Sequence, residues 1–174
     1  MHVEDEPWRA TIKDELGPCK AGQWDHIGVA STAGLLRLRN TALGYMEHLE
    51  YGYLSYLPPR YGFSEIKENA WKCNRFVADI AIEAGFQIPH NRTAILFGNT
   101  YPPIANDWAY GSNIGSWIHL GQTYPEPGFI AGRPSVGDAG HCGIVDYDGW
   151  VISGRNIGVE RKAEKMLEIG RAHV

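Results

Sequence analysis

The sequence predicts a single α+β domain in which N-terminal helices pack on a small antiparallel sheet. Apolar residues recur at helical spacing in two windows of the first half, near residues 35–49 and 73–84. A long passage rich in Gly, Pro, Asn and Trp follows, over residues 86–134. From His141 the apolar period changes to two, which is typical of strands. Because the helices precede the strands and do not alternate with them, the sheet is predicted to be antiparallel.

The length and composition fit one domain. The chain has 174 residues, of which 44% are hydrophobic and 21% are charged, close to the average for globular proteins. We assign residues 1–168 to a single domain with an irregular leader over about residues 1–30. The last six residues, Ile169–Val174, read as the translation of a widely used sequencing adapter and are excluded from the fold prediction.

The first predicted helix covers the window at residues 35–49. Five residues there recur at intervals of three and four and predict one buried face: Leu35, Leu38, Ala42, Tyr45 and Leu49. The aromatic segment YGYLSYLPPRYGF follows, and its Pro58–Pro59 pair ends any helix before the next one begins.

The second predicted helix carries a cysteine in its first turn. Its apolar stripe consists of six residues at helical spacing, namely Cys73, Phe76, Val77, Ile80, Ala81 and Ala84. Asn69 is predicted as the N-cap, and Gly85 as the positive-φ residue that ends the helix. A helix N-terminus stabilises a thiolate, and Lys72 and Arg75 are predicted to act in the same direction. The alternative is that Cys73 is a small buried hydrophobe.

The remaining elements are a loop-rich passage and a hairpin. Within residues 86–134, ANDWAYG predicts a helical turn whose Trp108 either packs in the core, which is favoured, or lines a binding cleft. A loop-rich passage of this kind is typical of a segment that shapes a site. HCGIVDYDGWVISG then predicts two strands around a turn at Asp148–Gly149. His141 opens the first of these strands.

Charge and cysteine usage argue against several functions. The net charge is −4 and no cluster of Lys and Arg is interleaved with aromatics, so nucleic-acid binding is not predicted. The three cysteines, Cys19, Cys73 and Cys142, include no CxxC pair and indicate neither a zinc ribbon nor a disulfide framework. No apolar stretch predicts a membrane span, and the acidic N-terminal residues do not fit a Sec signal peptide.

Cys73 and His141 together predict a cysteine-nucleophile site. A thiolate at a helix start and an imidazole at a strand start are the two halves of such a site. The imidazole takes the thiol proton and later protonates the leaving amine.

KCNRFVADIAIEAG and GHCGIVDYDGWVISG resemble the NlpC-type cysteine peptidases and the related CHAP amidohydrolases, over about residues 69–156. Between these motifs, PPIANDWA and PEPGFIAGRPSVGDAGH are similar to the linker of one branch, although Phe129 stands where an acidic residue often occurs. The resemblance implies a papain-like core in which the cysteine helix packs on a small antiparallel sheet. It also implies hydrolysis of a peptide or amide bond in the peptidoglycan stem peptide, without a cofactor or a metal.

The resemblance carries over residue by residue. It implies that Cys73 is the nucleophile and His141 the general base, with the Cys73 backbone N–H meeting the oxyanion. The family spacing sets the third, orienting residue twelve positions after the histidine, which is Ser153. A hairpin with a two-residue turn would instead set Asn156 opposite His141, so Asn156 is retained as the alternative to the favoured Ser153.

Two other classes of function compete with the hydrolase. A metal site of Cys73, His141 and Cys142 is disfavoured, because adjacent strand residues point to opposite faces and no fourth ligand is suitably spaced. On the same ground Cys142 is predicted to point away from His141. The second class is a non-catalytic peptidoglycan- or protein-binding module of the same fold, which would have no use for Cys73 and His141 as a pair.

A wall hydrolase without a Sec signal peptide would need another route out of the cytoplasm. Two kinds of protein fit, a contractile-injection effector and a phage lysin that is released when the membrane is breached. An effector would also meet an immunity or a delivery protein.

Overall fold

The computed structural model describes residues 32–92, 99–121, 126–135, 140–147, 150–163 and 170–173. They contain three α-helices, α1 (Thr32–Gly44), α2 (Cys73–Glu83) and α3 (Ala105–Tyr110). The strands are β1 (Asn91–Arg92), β2 (Thr100–Tyr101), β3 (Ile118–Gly121), β4 (Ile130–Arg133), β5 (His141–Val145), β6 (Trp150–Gly154), β7 (Val159–Ala163) and β8 (Gly170–His173). Helices and antiparallel strands share one fold, which confirms the α+β prediction. The predicted leader, Cys19 and the Asp148–Gly149 turn lie outside the described residues.

Six strands form one sheet in the order β3-β8-β4-β5-β6-β7, and every neighbouring pair is antiparallel. β1 and β2 form a separate antiparallel pair. β5 lies between β4 and β6, so the predicted hairpin is confirmed and occupies an interior position of the sheet. β8 falls within Ile169–Val174, and the assignment of that segment to an adapter stays a prediction.

The buried face of α2 fixes this helix against the sheet. All six residues of its predicted stripe are buried, which confirms the helical pattern. They share one apolar cluster with Ile144 of β5 and Ile152 of β6. Burial of a side chain such as Phe76 stabilises the fold by about 2–3 kcal/mol. The first residue of α2, Cys73, is therefore held firmly relative to the two central strands.

The two ends of α2 differ from the prediction in one respect. Gly85 follows the helix with a φ of +89°, as predicted for its C-terminal end. The predicted N-cap was wrong, because Asn69 has a φ of +58° in a turn before the helix and Lys72 occupies the N-cap position. Asparagine is common both at N-caps and in left-handed turns, and Asn69 occupies a turn here. The helix consequently begins at Cys73 itself.

α1 is shorter than its apolar pattern suggested. Leu35, Leu38 and Ala42 are buried as predicted. The helix ends at Gly44, and Leu49 opens a short 3-10 helix where its side chain is 62% exposed. None of the described helices has the length and apolar character needed to cross a membrane.

Arg75 ties the aromatic segment to α2. Its side chain is fully buried, and its Nε donates to Asp79 at 2.8 Å one turn along the helix. The rest of the guanidinium donates to main-chain carbonyls of the segment before α2, including Ser64 at 2.8 Å. Asp79 also accepts a hydrogen bond of 2.9 Å from the Tyr51 hydroxyl. The segment that leads to Cys73 is thus attached to the helix by a buried polar network.

Replacing Arg75 by Ala should lower the free energy of unfolding by about 3–5 kcal/mol, because it removes the buried, closest cation of the Asp79 carboxylate and leaves, among the described residues, only Arg60 at 4.0 Å. Urea unfolding measures this change. Lys162→Ala is the matched control, since Lys162 pairs with Glu160 at 2.7 Å at a 58% exposed position and should contribute under about 1 kcal/mol. Equal losses in the two variants would contradict the role given to the buried pair.

Candidate functional site

Cys73 is the first residue of α2 and is 3% exposed. Its pKa is lowered well below the usual value for a thiol. The largest cause is hydrogen bonding from the Cys142 thiol, and burial opposes it. Hydrogen bonding and charge from the His141 ring, together with the Cys142 backbone N–H, lower the pKa further. This environment favours the thiolate, the form in which a cysteine is nucleophilic.

His141 is the first residue of β5 and lies half-buried beside Cys73. It follows Gly140, which has a φ of +68° and at which a Cβ would lie 2.5 Å from the Arg133 carbonyl oxygen. Only glycine fits there, so Gly140 fixes the entry of the strand. Nε2 of His141 is buried and has no hydrogen-bond partner within the described part of the chain. Nδ1 is then the ring nitrogen available to the Cys73 thiol.

Lys72 and Arg75 do not support the thiolate in the predicted way. The Lys72 side chain is buried, and its ammonium donates to the main-chain carbonyls of Ala70 at 2.9 Å and Tyr53 at 3.3 Å. The Arg75 guanidinium is paired with Asp79. Both cations are used to hold the chain before α2, and this part of the prediction was wrong.

Cys142 is the site residue that sequence analysis missed. Its side chain lies on the α2 side of the sheet, in the same apolar cluster as Cys73, and is 1% exposed. Burial and the neighbouring Cys73 thiolate raise the pKa of Cys142 well above the usual value. Cys142 therefore keeps its proton and can donate it in a hydrogen bond to Cys73. Strand alternation was expected to take Cys142 away from the site, but Cys142 and His141 both reach Cys73, because the helix begins beside the first residues of β5.

Ser153 is fully buried on β6, and its hydroxyl donates to the Cys142 carbonyl oxygen at 2.5 Å. No hydrogen bond joins it to the His141 ring among the described residues. Ser153 is therefore connected to the pair through the main chain of β5.

The hairpin register excludes the position expected for Asn156. The ladder pairs Ile144 with Ile152, one residue away from the register that would set Asn156 opposite His141. The strands end at Val145 and resume at Trp150, so the connection is longer than the two-residue turn assumed. Asn156 lies beyond β6 and is exposed, and its carbonyl accepts from the Tyr53 N–H at 3.0 Å.

Single alanine substitutions test the third residue. Ser153→Ala should lower kcat/KM about tenfold, equivalent to about 1.4 kcal/mol, because the Cys142 carbonyl loses its buried donor and the start of β5 loosens. Asn156→Ala should stay near the parent, since Asn156 is exposed and contacts the fold through its main chain. If the chain hydrolyses wall peptides as the resemblance implies, steady-state kinetics on wall fragments measure both. Loss of activity in the Asn156 variant alone would reverse the assignment.

An exposed aromatic pair lies near Cys73 in the chain. The Trp71 ring is 43% exposed and lies 4.8 Å from the Tyr53 ring, centroid to centroid. The buried Lys72 ammonium donates a hydrogen bond to the Tyr53 carbonyl oxygen. This pair offers an apolar surface just before Cys73 in the chain.

The fold thus brings Cys73 and His141 together. Ser153 is connected to this pair through the main chain of β5. Asn156 lies outside the site. No group of three or more His, Cys, Asp or Glu side chains that could hold a metal ion occurs in the parts of the chain described. Comparison with protein-family models, curated proteins and solved structures finds no match to this chain. The geometry of Cys73 and His141 therefore carries the functional interpretation.

Proposed function

We propose that this protein is a cysteine hydrolase that cleaves a peptide or amide bond in the stem peptide of peptidoglycan, on a papain-like, NlpC-type core. The single observation that carries the proposal is the Cys73 thiol at the start of α2, with a lowered pKa, against the His141 ring. The substrate class rests on the resemblance of the segments around these two residues to wall-degrading enzymes.

The proposed reaction proceeds by acyl transfer. The Cys73 thiolate attacks the carbonyl carbon of the scissile bond, and the oxyanion meets backbone N–H groups at the beginning of α2. Lys72 provides no side-chain cap there, so these donors are not used by a capping side chain. His141 gives its proton to the leaving amine, and the amine departs as the thioester forms. His141 then takes a proton from water, which attacks the thioester and releases the carboxylate product and Cys73.

Digestion of purified wall material tests this function. Incubation of the reduced protein with intact peptidoglycan should release fragments whose masses correspond to hydrolysis within or at the base of the stem peptide. New free amines should appear in step with these fragments, because an amide bond is broken. The appearance of new reducing sugar ends without new amines would show a glycosidase and overturn the proposal.

The second candidate function is a binding module with the same fold. A thiol probe separates the two, since the lowered pKa of Cys73 predicts alkylation by iodoacetamide at a pH where ordinary thiols are protonated. Selective alkylation of Cys73 should also abolish wall hydrolysis. A protein that binds peptidoglycan equally well before and after alkylation, and releases no fragments in either state, would be the binding module.

A further inference from the structure

The proposed mechanism leaves one reactive group of the site unused. Cys73 and Cys142 are both buried and both free. They come from α2 and β5, share one apolar cluster, and have thiols that interact directly. Hydrogen bonding alone does not require sulfur at position 142, since a serine could also donate. A pair of adjacent thiols can in addition undergo two-electron oxidation.

We propose that Cys73 and Cys142 form a reversible intramolecular disulfide bond on exposure to a hydroperoxide, and that this bond switches the site off. The consequence for activity rests on the proposed hydrolase function, whereas formation of the bond does not. The disulfide would occupy the sulfur that must attack the substrate. The protein would therefore be active only where thiols are kept reduced.

The chemistry needs no group beyond the two thiols and the oxidant. The Cys73 thiolate attacks one peroxide oxygen, the O–O bond breaks, and the departing oxygen takes up a proton, which leaves Cys73 as a sulfenic acid. The Cys142 sulfur, as it gives up its proton, attacks the Cys73 sulfur, the S–O bond breaks, and hydroxide leaves with that proton as water. Two electrons pass in total from the two sulfurs to the peroxide. A dithiol reductant reverses the change by exchange.

Cys73 and Cys142 come from a helix and a strand that pack together, and their thiols interact, which suits this sequence of steps. Cys73 is the thiolate, so the peroxide should react there first. The negative charge on Cys73 is one of the causes that hold the proton on Cys142. Conversion of Cys73 to an uncharged sulfenic acid removes that charge, so Cys142 ionises more readily at the moment when it is needed. Cys142 is buried and keeps its proton, so it should react with peroxide more slowly than the Cys73 thiolate, which orders the two steps.

The test uses the full chain with Cys19→Ser, so that only the two site cysteines remain. Hydrogen peroxide should lower the intact mass by two hydrogens, join the peptides that contain Cys73 and Cys142, and cut hydrolysis more than about 100-fold. Dithiothreitol should restore both the mass and the activity. In Cys142→Val, chosen because valine fits a buried strand, peroxide should give a sulfenic acid that dimedone traps and no linked peptides.

The outcomes separate the two proposals. Peroxide treatment that leaves both thiols free, or that yields only a sulfinic acid on Cys73, would overturn the disulfide whatever the activity. Disulfide formation in a protein that shows no hydrolysis even when reduced would uphold the bond and refute the hydrolase. A Cys73–Cys73 link between two molecules, formed equally in the parent and in Cys142→Val, would make the bond intermolecular and overturn the assignment.

Discussion

Cys73→Ala and Cys73→Ser should each abolish release of wall fragments, with kcat/KM falling by at least about 10³-fold. Neither variant has a sulfur that can carry the acyl group, and serine beside His141 lacks the ionised form that the site is built to stabilise. The same variants should still fold. Removing one buried sulfur is expected to lower the free energy of unfolding by only about 1 kcal/mol. Fragment release followed by mass spectrometry, together with urea unfolding, measures both effects.

Cys19→Ala is the control for Cys73, because it also removes one thiol but lies in the predicted leader. It should retain the activity of the parent. If Cys73→Ala released fragments at the rate of the parent, Cys73 would not be the nucleophile. A parallel loss in both variants would instead indicate a general effect of thiol loss.

His141→Ala should lower kcat/KM by a comparable factor, at least about 10³-fold, because it removes the proton donor for the leaving amine. It should also change the chemistry of Cys73. The His141 ring is one of the causes of the lowered Cys73 pKa, so the midpoint of iodoacetamide alkylation against pH should move upward in the variant. A purely structural role for His141 would not predict this shift.

The parent should show a bell-shaped dependence of kcat/KM on pH. Activity rises with pH as Cys73 loses its proton, and because its pKa is lowered this acid limb should lie below the usual range for thiols. A second limb at higher pH should follow because the leaving amine requires a proton from a general acid. A chelator should change neither limb. Inhibition by EDTA that zinc reverses would contradict the cysteine mechanism.

Periodicity predicted the parts of this fold that depend on burial. The stripe of α2, from Cys73 to Ala84, and the hairpin that begins at His141 follow from apolar spacing alone, because each buries one face. Gly85 was predictable for a related reason, since a positive φ strongly selects glycine. These elements also bring Cys73 and His141 together, so the pairing of these two residues could be predicted from the sequence.

The parts that the sequence did not predict depend on long-range contacts. Asn69 has the residue type of an N-cap but adopts a left-handed turn, and local preference does not separate the two uses. Arg75 looked like a cation beside the thiol, but its partner Asp79 lies one helical turn away. The spacing of Arg75 and Asp79, four residues apart on a helix, was the available sign of that pairing.

The proximity of Cys142 to Cys73 depends on where α2 begins over the sheet, which no local pattern records. Alternation along β5 was applied correctly, since Cys142 lies with Ile144 in the cluster on the α2 side. The error was to assume that only one of two adjacent residues can reach a group at the end of a strand. The hairpin register failed for a similar reason, because the length of the connection between Val145 and Trp150 decides it.

The interior position of β5 has a consequence for how the protein folds. Its first residue meets Cys73 only after α2 has docked on the sheet, and this docking joins distant parts of the chain. Closing such loops costs entropy before any contact compensates for it, so these contacts form late in folding. The helical content of α2 can be in place while Cys73 still lacks its contact with His141. Recovery of catalytic power during refolding should therefore follow assembly of the central strands and lag behind the return of helix.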